Sequence, residues 1–251
     1  TYEFEIKGLS KFNPTWTIPK MDKSKNNIPN KELLENMVFN LGMVELVSYW
    51  KITCAPHVTV KNIYLSQKQI DWWKKLYFYG LGEFFYKNNI KTNIDEFMNI
   101  TAGTNKLLKS EINISDEFTG ALVPIGGGKD SIVTLNVIKD DFANNMCYVI
   151  NPRGATEETA ETAGYGENKR CYVKRTLDKN MLELNKQGYL NGHTPFSSIV
   201  AFSALIVAYL NKKKYIVLSN EASANESTIY EEEVNHQYSK SYEFEQDFNE
   251  Y

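Results

Sequence analysis

The sequence predicts an α/β protein, a parallel, doubly wound sheet preceded by a smaller aromatic-rich α+β segment. Three observations carry this. From about residue 120 onward, short apolar runs alternate with helical periodicity, the pattern of a parallel sheet covered on both faces. Each run gives way at once to a glycine-rich or polar turn. The stretch before it lacks that alternation and concentrates aromatic residues. The chain of 251 residues divides accordingly into residues 1–115, expected to shape a substrate pocket, and residues 116–251, expected to hold a nucleotide.

The elements follow in order. Tyr2, Phe4 and Ile6 alternate as a short strand does. Lys20 to Asn30 is a polar loop ending in a helix cap. Leu33, Leu34, Met37, Val38, Leu41, Val44 and Val47 keep helical spacing. Val58 to Leu65 reads as a strand. Ser66 and Gln69 have capping-box spacing before a helix through Trp72, Trp73, Leu76 and Tyr77. An aromatic stripe at that spacing suits core packing better than a platform for a base or sugar. The second part has strands at Ala121–Ile125, Cys147–Ile150, Cys171–Val173 and Tyr215–Leu218. Helices are expected at Ser131–Lys139, Glu157–Ala163 and Pro195–Leu210. Ligands of such sheets sit beyond the carboxyl ends of the strands, here Ile125, Ile150, Val173 and Leu218.

Composition narrows the partners. With 28 Lys plus Arg against 31 Asp plus Glu, the net charge of −3 argues against a broad nucleic-acid footprint. Cys54, Cys147 and Cys171 are odd in number and form no close pair, so neither a disulfide framework nor a zinc site is expected. No signal peptide and no apolar run of roughly 18 residues is present, so the expectation is a cytoplasmic protein without a membrane span. The oligomeric state is not readable.

The chemistry centres on Pro124-Ile125-Gly126-Gly127-Gly128-Lys129-Asp130-Ser131. Three glycines between a strand and a helix let successive N–H groups face one concavity, and the helix N-terminus adds positive potential. Such a turn cradles phosphate. It is not a Walker loop, which needs glycine where Val123 stands and Ser or Thr where Asp130 stands. Nor is it a dinucleotide fingerprint, because Ser131 replaces the third small residue and Asn151-Pro152-Arg153 replaces the ribose-binding acid.

The other strand ends add candidates. Ser219 to Glu226 places Asn220, Glu221 and Asn225 directly after the fourth strand, where Glu221 suits a metal and Asn220 a nucleotide. Arg153 suits a phosphate or carboxylate fork. Asn235 to Ser241 offers His236 for acid–base work and Lys240 for an anion. His193, before the buried helix, reads as structural. Lys212 to Lys214 and Glu231 to Glu233 read as solvated charge.

The turn resembles the PP-loop of the N-type ATP pyrophosphatases, S-G-G-x-D-S, with Gly126 in place of the first serine. That resemblance implies an adenine nucleotide alpha hydrolase-like sheet that binds ATP and Mg²⁺ and cleaves between the α- and β-phosphates. It implies that Gly126, Gly127, Gly128, Lys129 and Ser131 hold phosphate and Asp130 the metal. Four segments further resemble the ATP-dependent UDP-N-acetylmuramoyl-L-alanyl-L-glutamate epimerases of bacterial peptidoglycan synthesis. They are Leu41 to Lys51, Gly80 to Tyr86, the glycine turn, and Ser219 to Glu226 with Val234 to Ser241. This resemblance implies carboxylate adenylation of a UDP-muramoyl dipeptide, inversion of its terminal glutamate, and release of AMP and pyrophosphate. Members of that family are longer, so residues 116–251 are expected to lack a carboxy-terminal part. Catalytic candidates are His236, Glu221, Lys240 and Lys129, with Glu45 a further candidate base. The alternatives are another PP-loop enzyme, modifying tRNA or a nucleobase or forming an amide, and a non-catalytic adenine-nucleotide module.

Overall fold

The structure, a computed structural model, describes residues 1–19, 30–61, 63–103, 106, 108, 117–220, 222–225 and 238–251. Strands β1 (Phe4–Ile6) and β2 (Ser10–Phe12) pair antiparallel, and β3 (Thr15–Thr17) follows. Helix α1 (Lys31–Trp50) starts at Asn30, whose side chain accepts from the N–H groups of Glu32 and Leu33. Strand β4 (His57–Val60) is shorter than its apolar run suggested and pairs in parallel with β5 (Asn99–Ala102). Helix α2 (Gln67–Gly80) carries the expected capping box of Ser66 and Gln69, and α3 (Gly82–Lys87) follows at once.

The second part alternates as expected, with α6 an additional helix: β6 (Ala121–Pro124), α4 (Lys129–Val137), β7 (Met146–Ile150), α5 (Gly154–Thr162), β8 (Arg170–Thr176), α6 (Lys179–Lys186), α7 (Phe196–Leu210) and β9 (Tyr215–Ile216). Helix α8 (Tyr242–Glu250) closes the chain. The main sheet has the order β3-β8-β7-β6-β9. Strands β6 to β9 run parallel, but β3 lies antiparallel on β8. The fold is α/β with a mixed sheet, so the expectation of a wholly parallel one is corrected at this edge. Its cause is local: Thr15-Trp16-Thr17 is too short to announce a strand, and its partner is far along the chain.

Helix α7 explains why the sheet is buried on one side. Its Ala204, Val207 and Ala208 pack on Leu122, Tyr148, Cys171 and Val173. Its Ile199, Phe202 and Ile206 join Val44, Val47, Trp73 and Tyr77 in the largest cluster. An almost wholly apolar helix has two partners to satisfy. The opposite sheet face is covered by α4 and α5, with Leu135 and Ala160 against Val123, Cys147 and Val149. Adjacent residues such as Tyr148 and Val149 thus point to opposite faces, as strand geometry requires. The aromatic stripe is core, as its spacing suggested: Trp73 stacks on Phe202 at 5.1 Å, and its indole N–H donates to the Tyr251 hydroxyl at 3.0 Å.

Candidate functional site

Among the parallel strands, β6 is flanked by β7 on one side and β9 on the other, so the direction of winding reverses between β6 and β9. A reversal leaves a crevice at the carboxyl ends, because the following connections diverge to opposite faces. A cleft of about 660 Å³ opens there. Its walls come from Pro124 to Gly126 after β6, Asn151 and Arg153 after β7, Arg175 on β8, and Leu218 to Asn220 after β9. The start of α7 contributes Phe196, Ser197 and Val200.

Gly126, Gly128, Asp130, Ser131, Arg153, Asn220 and Lys240 all line this one cleft. A Cβ on Gly126 or Gly128 would meet nothing within 4 Å, so the bare backbone faces open space. Gly127 does not line the cleft. It sits at φ +83° with Ala155 at 3.2 Å from a would-be Cβ, so it turns the loop and packs it on α5. No side chain caps α4 at Gly128, so its first N–H groups keep their capacity for an anion. The Gly126 N–H donates to the Ser131 hydroxyl at 3.2 Å, which holds the loop in shape. Thr134 and Ser219 share a hydroxyl hydrogen bond of 2.8 Å, joining α4 to the loop after β9.

Lys129 is exposed and stands outside the lining. Lys240 reaches the cleft from a short turn fixed on either side. Tyr238 is buried and donates to Asp247 at 2.8 Å, and the Ser241 hydroxyl accepts from the Phe244 N–H as the cap of α8. Glu221 and His236 lie outside the described residues. His193 faces Glu83, its Nδ1 3.4 Å from the carboxylate, in keeping with a structural role.

Sequence reasoning missed Arg175. Its guanidinium makes a two-pronged pair with Glu45, Nε to Oε2 at 2.9 Å and Nη2 to Oε1 at 2.7 Å, and donates to the Ser48 hydroxyl at 3.2 Å. The Trp16 indole N–H donates to Glu45 at 3.1 Å. Glu45 is fully buried, its charge is matched by Arg175 and it is not among the residues lining the cleft, so the structure does not place it as the base. The available signal was strand length. Extending the third parallel strand past Val173 brings Arg175 to its carboxyl end.

Arg153 and Lys240 bring positive charge to the cleft, the charge of Arg175 being matched by Glu45, while Asp130 is the acidic residue among its described lining. Mg²⁺ typically binds through one or two carboxylates and takes its other ligands from phosphates and water. Asp130 beside an open glycine turn fits that requirement. Among the described residues no three His, Cys, Asp or Glu side chains gather as a protein-only metal site. Among them, too, no helix is long and apolar enough to cross a membrane.

The family described as MurL N-terminal domain matches residues 1–251. Three relatives bear the name UDP-N-acetyl-alpha-D-muramoyl-L-alanyl-L-glutamate epimerase. That of Xanthomonas oryzae pv. oryzae is 29% identical over 84% of this chain and 46% of its own length. That of Salinispora tropica is 28% identical over 95% and 51%, and that of a Micromonospora species 31% over 82% and 45%. The chain thus spans about half the length of the curated relatives it matches. No solved structure matches it.

Proposed function

The chain belongs to the MurL N-terminal domain family, and from that premise we propose that it provides the ATP site of a cytoplasmic epimerase of peptidoglycan precursor synthesis. The reaction converts the terminal L-glutamate of UDP-MurNAc-L-Ala-L-Glu to D-glutamate through carboxylate adenylation. The observation that carries this reading is the convergence of an open glycine turn, Asp130, Arg153 and Lys240 on one crevice at the sheet's reversal point.

In this reading Gly126, Gly128 and the uncapped start of α4 bind the pyrophosphate end of ATP as a PP-loop does, with Ser131 beside them and Gly127 setting the turn. Arg153 and Lys240 offset its charge, and Asn220 contacts the nucleotide. Ile150, Leu218, Val200 and Phe196 offer an apolar wall for the base. Asp130, with Glu221, would hold Mg²⁺, which neutralises charge developing on the phosphates. A substrate α-carboxylate oxygen attacks the α-phosphorus, the bond to the bridging oxygen breaks, and pyrophosphate leaves. Adenylation removes the carboxylate charge and so acidifies the neighbouring α-proton. A base among His236, Glu221 and Lys240 takes that proton from one face. Reprotonation follows on the other, and water releases AMP. Residues 1–115 shape the pocket for the peptide end.

The test is incubation of the intact protein with ATP, Mg²⁺ and the UDP-muramoyl dipeptide. AMP, pyrophosphate and D-glutamate should appear together. ADP as product would exclude the mechanism. Pyrophosphate release stimulated by RNA would favour a tRNA-modifying enzyme. ATP binding without consumption, unaffected by Asp130→Asn, would favour a nucleotide sensor.

A further inference from the structure

A second cavity of about 140 Å³ adjoins the cleft, with Arg175 and Leu177 forming part of both walls. It is far below the roughly 300 Å³ at which sites for whole small molecules begin. Around it the charges do not balance. Lys51 is 4% exposed, and its ammonium donates to the carbonyls of Gly192 and His193 and to the Thr194 hydroxyl, all neutral. Arg175 is the second cation, and Glu45 is already matched to it. Among the described residues, the other groups that bear on Lys51 add no negative charge at neutral pH. The Cys54 thiol is pushed up to about 11 by burial and stays neutral, and the His193 ring turns toward Glu83. Among the described residues no acidic side chain lines the cavity.

Two buried cations with one anion leave a net positive charge in a poorly solvated space, which is costly unless an anion joins it. Lys51 shows that deficit: burial first, and Arg175 second, lower its amine to about 8. The rest of the lining suits a short carboxylate. Ser48, Asn185, Asn191 and Thr194 bring polar groups, while Met181 and Leu190 suit methylenes.

We propose that this cavity binds the free side-chain carboxylate of the substrate's terminal glutamate, while its α-carboxylate faces the nucleotide cleft across Arg175. The assignment rests on the epimerase reading above. It gives that reaction a fixed handle: the side chain stays anchored while the α-carbon inverts. Because the three N–H groups of Lys51 are already donated, it acts on that carboxylate through its charge, while Arg175 and the polar lining supply the hydrogen bonds, and this makes Lys51 a specificity-determining residue.

Two measurements test it. The first needs no turnover. Protein labelled with ¹³C at lysine is titrated with base, with and without glutarate. Glutarate should raise the Lys51 midpoint from its lowered value near 8, because a bound carboxylate favours the ammonium form. No shift overturns the proposal even if the protein epimerises its substrate. A shift produced by inorganic phosphate and not by glutarate also overturns it, because the site is then a phosphate site. A glutarate shift without epimerisation keeps the carboxylate site and sinks only the epimerase reading. The second uses Asn185→Leu, which places a larger apolar side chain in the cavity wall from half-buried Asn185 and leaves Lys51 itself unchanged. The native protein should prefer a terminal glutamate over its side-chain amide by at least about 30-fold, the effect of stranding a buried charge. The variant, folded by circular dichroism, should lose that preference with KM for ATP within twofold. Preference retained in the variant overturns the proposal.

Discussion

At the residue scale, two adjacent glycines do different work, and substitution separates them. Gly127 holds φ +83° and is packed on Ala155. Gly127→Ala should cost about 1–2 kcal/mol, since an L-residue is strained in the left-handed region, and should weaken ATP binding as the loop shifts. Gly126 has open space where a Cβ would go. Gly126→Ala should leave urea stability unchanged or raise it by up to about 1 kcal/mol, yet lower ATP affinity by at least tenfold on the order of one lost close contact. Unchanged affinity by calorimetry in that variant would move the nucleotide away from the turn. Lys51 sets a pH dependence. Its amine lies near 8 in the folded chain against the ordinary 10.5, so the unfolded chain holds more protons between those values. Stability from this group therefore rises as pH climbs from 8 to 10.5 and is lost on the way down. Urea midpoints at pH 7.5 and 10 should show the rise, and Lys51→Met should abolish that part of it.

At the element scale, α2 depends on its first turn. Ser66 and Gln69 cap each other's backbone, so Ser66→Ala should cost about 1 kcal/mol, measurable as a lower thermal midpoint with no change in KM. The same helix shows what was legible. Asn30 and Ser66 mark helix starts because capping is local chemistry, written within three residues of where it acts. The glycine turn was legible for the same reason, and with it part of the cleft lining: Asp130 and Ser131, Arg153, Asn220 and Lys240 come to it from different parts of the chain, because parallel strands deliver their carboxyl ends to one edge. Strands β3 and β5 were not legible. Each is at most four residues long and is a strand only because a distant partner pairs with it. Helix α4 begins at Lys129, two residues before the expected start, which turns Lys129 outward. Arg175 was hidden because its role depends on Glu45 and Trp16, both in the first part of the chain.

At the scale of the whole molecule, that trio ties three elements together: β3 through Trp16, α1 through Glu45 and β8 through Arg175. The pair is nearly dry, with side chains 12% and 0% exposed. Its value is not that of a surface ion pair. Removing one partner leaves a buried, unmatched charge, so Glu45→Ala should cost about 3–5 kcal/mol, read as a fall in urea midpoint. Since Arg175 also walls the cleft, the variant should bind ATP more weakly under conditions where it remains folded. A loss below about 1 kcal/mol would show that water reaches the pair and that the elements are held by packing alone.

The antiparallel edge strand also has a bearing on how the molecule is made. Thr15 meets Thr176, roughly 160 residues later, and a ribosome adds about 5–20 residues each second. Strand β3 thus leaves the exit tunnel on the order of ten seconds or more before the neighbour it must join exists. During that interval Trp16 has no complete Glu45–Arg175 pair to meet, and Thr15–Thr17 has no strand to pair with until β8 emerges.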